Sequence, residues 1–90
     1  MPGAATLAER IIQEQELVIG PMAWREAQKV SGLKVSGKSV SISGPAKAAL
    51  AGLVSRYEGL FGPASVEVCR DAVKTLLPDV EETDVPEILR

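Results

Sequence analysis

Apolar residues recur every three to four positions between Leu7 and Ile19. This spacing is typical of an amphipathic helix, because it places the apolar side chains on one face. The order Thr6-Leu7-Ala8-Glu9 has the form of a capping box and predicts that the helix begins at Thr6. Gly20-Pro21 interrupts the pattern, since proline lacks the N–H that a helix interior requires. A second, shorter helix is predicted from Pro21 to Val30.

The hydrophobic period changes to two between Leu33 and Ile42. Here β-branched residues alternate with lysine and serine on both sides of Ser36-Gly37-Lys38-Ser39. Alternation around a glycine-containing turn predicts a β-hairpin over about residues 33–42. An isolated hairpin is marginally stable in water. We therefore expect it to pack on the helices or to pair with another chain.

Helical spacing returns after Ser43-Gly44-Pro45, where serine or glycine can cap a third helix. Gly62-Pro63 ends this helix, and a fourth helical pattern runs to Pro78. The stretch 10–21 lies over 52–63 at an offset of 42 residues, with both Gly-Pro pairs in register. This similarity indicates a duplicated unit, although two amphipathic helix pairs can also resemble each other by chance.

The elements together predict a mainly α fold of the α+β type, with two helix–Gly-Pro–helix units over about 6–31 and 45–77. The β-hairpin joins these units in a small helical core. We expect a single helical domain over 1–78, followed by an acidic tail over 79–90. That tail could dock on a partner, cover the protein's own core or remain disordered.

Composition excludes several classes of site. The 90 residues contain no histidine and one cysteine, Cys69, so this chain alone forms no Cys/His zinc site, histidine-based triad or internal disulfide. Apolar runs are too short for a transmembrane helix, so no membrane association is expected. The N-terminus lacks secretory-signal features, and a lone cysteine suits a reducing compartment. We therefore expect a cytoplasmic protein without cofactors.

Charge is distributed unevenly around the net value of −2. The segment 79–90 carries five acidic residues and one arginine, which leaves a net charge of +2 on the rest of the chain. No acidic residue lies between Glu26 and Glu58, whereas several lysines do. A basic middle and an acidic end can indicate an anionic partner, an acidic tail folded onto its own body, or ordinary solvated charge.

Gly32-Leu33-Lys34-Val35-Ser36-Gly37-Lys38-Ser39 matches the phosphate-loop pattern G-x-x-x-x-G-K-[ST] at every fixed position. A functional phosphate loop follows a strand and opens a helix, whose N-terminus binds the phosphates. Here a helical pattern precedes the motif and a strand pattern follows it. We therefore interpret the match as hairpin surface and predict no nucleotide site.

Nucleic-acid binding is the alternative function, because two helices followed by a lysine-tipped hairpin are similar to a winged helix-turn-helix. In that interpretation the second helix contacts DNA and the hairpin contacts phosphates. The predicted basic contacts are Arg25, Lys29, Lys34, Lys38 and Lys47. Trp24 and the alanines leave this helix a small polar face, and the acidic pI of about 5.1 weakens non-specific attraction.

The favoured hypothesis is a small non-enzymatic protein-interaction or regulatory module. No paired carboxylates stand out in the sequence, and Cys69 lies on an apolar stripe that favours a buried, unreactive thiol. Self-association is expected, with a homodimer or another protein as partner, because the third helix carries more apolar surface than a thin core needs. The predicted interface consists of Leu50, Leu53, Val54, Tyr57, Leu60 and Phe61.

The interpretation of the phosphate-loop match is tested by adding ATP or GTP with magnesium and measuring the melting temperature. We expect no change at millimolar nucleotide. A micromolar site would stabilise the fold by about 4 kcal/mol at a thousandfold excess of ligand over the dissociation constant. An increase that disappears in Lys38→Ala would contradict the interpretation.

Overall fold

The computed structural model describes residues 3–90. Within them, four helices and one antiparallel hairpin follow in the order α1 (Ala4–Ile19), α2 (Met22–Ala27), β1 (Leu33–Ser36), β2 (Ser39–Ile42), α3 (Ala46–Phe61) and α4 (Ala64–Val73). Three short 3-10 turns complete the chain at Leu77–Asp79, Glu82–Asp84 and Glu87–Leu89. This architecture confirms the predicted mainly helical class and the predicted hairpin.

Each long helix ends at a glycine that turns the chain into the next helix. Gly20 has φ of 79° and Gly62 has φ of 86°, a region that disfavours residues with a Cβ atom. Their N–H groups donate to the carbonyl oxygens of Glu16 and Glu58 at 2.9 and 2.8 Å. The following prolines cap α2 and α4. We call Gly20-Pro21 and Gly62-Pro63 the two elbows.

The predicted helix start at Thr6 is wrong. Helix α1 begins at Ala4, and its cap residue Gly3 makes no side-chain capping bond. The Glu9 carboxylate, which a capping box would direct to its own helix, instead accepts a hydrogen bond from the Val40 N–H at 2.9 Å. That N–H lies on the outer edge of β2, where the hairpin itself supplies no acceptor.

The hairpin pairs Leu33 with Ile42 and Ser36 with Ser39 around a two-residue turn at Gly37 and Lys38. Its apolar side chains share one face and pack on the core, while Lys34 and the serines are exposed. Ser39 therefore opens a strand rather than a helix. The phosphate-loop pattern lacks the helix N-terminus that would bind phosphate, in agreement with its interpretation as hairpin surface.

One continuous core joins α1, α2, α3, α4 and the hairpin. Ile11 and Leu53 lie at its centre, and both side chains are fully buried. The core extends beyond residue 78, because Val80, Val85 and Leu89 of the C-terminal segment belong to it. Arg70 of α4 also donates from Nε to the Ile88 carbonyl oxygen at 2.8 Å. Of the alternatives for the acidic segment, the structure shows the one in which it covers the core.

Truncation of the central apolar residues tests this packing. We expect Ile11→Ala and Leu53→Ala each to lower the free energy of unfolding by about 2–5 kcal/mol, because each leaves a cavity that close-packed neighbours fill only in part. Denaturant titration followed by circular dichroism measures the change. Gln13→Ala is the control, since Gln13 is an exposed residue of α1 outside the core, and it should cost less than about 0.5 kcal/mol. Equal losses in all three variants would contradict the assigned core.

Candidate interaction surface

The exposed large apolar side chains of the described chain lie in the last turns of α1 and α3, just before the elbows. Leu17 and Val18 are 79% and 65% exposed, and Leu60 and Phe61 are 48% and 37% exposed. We call these four residues the apolar end. Single exposed apolar residues are ordinary on protein surfaces, but grouped ones indicate a contact surface.

A buried hydrogen bond connects the last turns of α1 to the second elbow. The Gln15 side chain is 1% exposed, and its Nε2 donates to the Ser65 carbonyl oxygen at 2.9 Å. Ser65 in turn donates from its backbone N–H to the Gly62 carbonyl oxygen at 3.1 Å. The C-terminal part of α1 therefore lies beside the turn that follows α3.

The corresponding bond connects α3 to the first elbow. Tyr57 is fully buried, and its hydroxyl donates to the Ala23 carbonyl oxygen at 2.7 Å. The Ala23 N–H donates to the Gly20 carbonyl oxygen at 3.0 Å. Each long helix is thus held against the other's elbow. Both elbows, and the apolar residues that precede them, consequently lie at the same end of the molecule.

Burial suppresses ionisation in the layer beneath the apolar end. Burial raises the pKa of the Tyr57 phenol, and it also raises the pKa of the Cys69 thiol. Gln15 Nε2 lies 3.3 Å from Cys69 Sγ. A buried thiol with a raised pKa is a weak nucleophile, as the sequence predicted from its apolar stripe.

The structure divides the predicted interface into a buried and an exposed part. Four of the six residues are fully covered within a single chain, and these are Leu50, Leu53, Val54 and Tyr57. They have no surface to offer a partner, because α1, α2 and α4 use all of it. The surplus of apolar area inferred for α3 is therefore smaller than expected. Leu60 and Phe61 remain accessible.

The helical spacing between Leu7 and Ile19 predicted one buried apolar face that includes Val18, but Val18 is exposed, and so is the neighbouring Leu17. A usable signal was present, since Leu17-Val18-Ile19 is a run of three consecutive apolar residues. Successive helical side chains are separated by about 100°, so three in a row do not all point to one core. Leu60 and Phe61 are likewise consecutive apolar residues just before Gly62, and both side chains are exposed.

Two of the five basic residues assigned to nucleic-acid binding are engaged in ion pairs. Lys29 lies 3.2 Å from Glu26, and Lys38 lies 3.1 Å from Glu16. Arg25, Lys34 and Lys47 are exposed and form no ion pair within residues 3–90. Nucleic-acid binding stays a prediction, with two of its proposed contacts already occupied by carboxylates.

The tip of the hairpin is joined to α1 and α2 through a small polar cluster. Lys38 Nζ lies 5.9 Å from the centroid of the Trp24 ring and also pairs with Glu16. The indole N–H of Trp24 and the Lys38 ammonium both lower the pKa of Glu16. Trp24 Nε1 is buried and has no hydrogen-bond partner of good geometry among residues 3–90. The cluster holds the hairpin against the first elbow.

A groove of about 550 Å³ lies within the segment that follows α4, lined by Lys74, Leu77, Val80, Val85 and other residues. Arg90, which also lines this groove, forms an ion pair with Glu82 at 2.8 Å. Among residues 3–90 no cluster of three or more potential metal ligands is present. In the same range, no helix combines the length and the apolar character needed to cross a bilayer.

The chain matches no known family model, and comparisons with curated proteins and with solved structures likewise return no significant match.

Glu26 provides a test of the surface electrostatics. Its carboxylate accepts from Arg56 Nη2 at 2.6 Å and lies 3.2 Å from Lys29, and hydrogen bonding to Arg56 is the main cause that lowers its pKa below the ordinary 4.5. A lowered folded-state pKa stabilises the fold above the unfolded value and loses that stabilisation as pH falls. Glu26→Gln should therefore be less stable than wild type at neutral pH but not at low pH.

Thermal unfolding across this pH range measures the difference. Arg56→Gln removes the same pair from its other side and should show the same convergence with wild type in acid. A Glu26→Gln deficit that is constant at every pH would contradict the assigned interaction.

Proposed function

We propose that this protein is a non-enzymatic interaction or regulatory module that self-associates, and that its apolar end forms the contact between two copies. The observation that carries the proposal is the exposure of Leu17, Val18, Leu60 and Phe61 in the last turns before the two elbows, which two buried hydrogen bonds hold at the same end of the molecule. Burying one large apolar side chain contributes about 1.5–3 kcal/mol. Four such residues on each copy supply enough apolar surface to offset part of the entropy lost on association.

The arrangement of the apolar end favours a second copy as its occupant. Val18 and Leu60 occupy equivalent positions before the two elbows, and Phe61 corresponds to the half-buried Ile19, so each half of the molecule contributes apolar side chains to the surface. A twofold contact requires a surface that is complementary to itself. Phe61 is the best candidate for the centre of the contact, because aromatic residues are enriched among interface anchors.

An internal duplication is part of this proposal, and two features support it. Helices α1 and α3 are both 16 residues long and begin and end at positions 42 apart. The buried positions of α1 correspond at the same offset to those of α3; they are Leu7, Ala8, Ile11, Ile12 and Gln15, and Ala49, Leu50, Leu53, Val54 and Tyr57. The bonds from Gln15 to Ser65 and from Tyr57 to Ala23 are related by that offset as well.

Charge substitution at the apolar end tests self-association. We expect wild type to sediment at twice the monomer mass, and Phe61→Asp and Val18→Asp to sediment as folded monomers, because a carboxylate in the contact would have to be desolvated. Sedimentation equilibrium measures mass, and circular dichroism confirms the helical fold.

The matched control is Ser55→Asp, which adds the same charge to an exposed position of α3 away from the elbow. It should remain dimeric. A wild-type protein that is monomeric at about 100 µM would contradict a dimer tighter than that concentration. Loss of the dimer in Ser55→Asp as well would show that net charge, and not the apolar end, governs association.

A further inference from the structure

The two edges of the hairpin differ in their hydrogen bonding. In an antiparallel pair, bonded and non-bonded residue pairs alternate. The Ser43 N–H donates to the Gly32 carbonyl oxygen at 2.9 Å, which makes Gly32 and Ser43 a bonded pair. Lys34 and Ser36 are then bonded to their partners on β2, and the backbone groups of the two other pairs, Leu33 with Ile42 and Val35 with Val40, point outward from the hairpin.

Each edge has a partner for one of its two outward N–H groups, and on the β2 edge no hydrogen bond within residues 3–90 uses the N–H of Ile42. Val40 donates its N–H to Glu9 of α1. On the β1 edge, Leu33 donates to the Val30 carbonyl oxygen at 3.2 Å, whereas no hydrogen bond within residues 3–90 uses the N–H of Val35. Val35 therefore presents a backbone donor and acceptor side by side, at the spacing that another extended backbone would match.

The charge next to this edge is positive. Lys34 is exposed, forms no ion pair within the described chain, and lies in a segment without any acidic residue between Glu26 and Glu58. The protein's own acidic segment, residues 79–90, does not neutralise the charge of Lys34. That segment is held on α4 by the bond from Arg70 to Ile88 and by the packing of its apolar residues in the core. An anionic partner is thus favoured at the β1 edge on electrostatic grounds.

We propose that the β1 edge binds an extended acidic segment of a partner protein, which adds a third strand to the hairpin at Val35. Successive residues of a strand point to opposite faces. A segment that alternates acidic and apolar residues would place its carboxylates beside Lys34 and its apolar side chains beside Val35 and the core. Main-chain bonds supply the affinity in this mode, and side chains supply the specificity.

Two other occupants fit the edge less well. A nucleic acid would meet the positive charge of Lys34, but it carries no backbone that alternates donor and acceptor at strand spacing. A second copy of β1 would satisfy the Val35 backbone, but it would bring another Lys34 to the edge and no acidic residue of its own strand to pair with it. The acidic peptide satisfies both the backbone and the charge.

Amide hydrogen exchange of the full protein, followed by NMR, tests the proposal. The probe is an acetylated, amidated heptapeptide of alternating glutamate and valine. In the free protein the Val35 amide should exchange fast, and saturating peptide should slow it by about tenfold or more, because strand addition gives it an acceptor. The Val40 amide is the internal control, since its bond to Glu9 exists in both states.

Matched variants separate charge from backbone recognition. Lys34→Glu should weaken binding by about two- to fivefold, the range of an exposed ion pair, whereas Lys47→Glu should leave it unchanged. A peptide that is N-methylated at every internal residue should not protect Val35, because it has lost its N–H donors and its methyl groups crowd both edges of the strand. Protection by the N-methylated peptide, or absence of protection at millimolar peptide, would overturn the proposal.

Alternative partners give distinguishable results. A single-stranded oligonucleotide that binds with Lys34 dependence while the peptide does not protect Val35 would assign the edge to nucleic acid and overturn the proposal. Val35 protection that rises with protein concentration in the absence of peptide would assign the edge to a second copy. The measurements are repeated in Phe61→Asp, where peptide binding should persist, so failure at the apolar end and failure at the β1 edge are separated.

Discussion

Two buried hydrogen bonds hold the four helices in their arrangement, and each joins one long helix to the turn beyond the other. Gln15 donates to the Ser65 carbonyl oxygen, and Tyr57 donates to the Ala23 carbonyl oxygen. A buried donor without an acceptor costs more than a typical hydrogen bond contributes, so each bond restricts where the opposite elbow can lie. The core, the position of the hairpin and the grouping of the apolar end all follow from this crossed arrangement.

Much of the fold was predictable because it rests on local physics. The change of hydrophobic period located the hairpin over 33–42, and glycine followed by proline located both elbows. Long-range pairing was not predictable, since Glu9 has the spacing of a capping box but bonds to Val40, 31 positions away. The local sequence around Glu9 is the same whether its carboxylate caps α1 or bonds to the hairpin. Only the folded position of β2 decides which N–H the carboxylate meets.

The candidate surface was predictable only in part, for a related reason. Periodicity indicates that a helix has an apolar face, but it does not say how many neighbours will cover that face. Tyr57 is fully buried because α2 offers it the Ala23 carbonyl, whereas Phe61, one turn later, extends past the elbow and is 37% exposed. The position of the acidic segment was not predictable either, because its apolar residues were compatible with covering the core, with docking elsewhere and with disorder.

The bond from Glu9 to Val40 also bears on how large an assembly this sheet can support. Strands that are open on both edges can recruit neighbours without limit, which is the route to fibres. Here a carboxylate from α1 occupies the Val40 N–H, so a strand could pair with β2 at that position only by displacing Glu9. The contact therefore protects the middle of the β2 edge against added strands, and it does so with a side chain from a helix and not with a third strand.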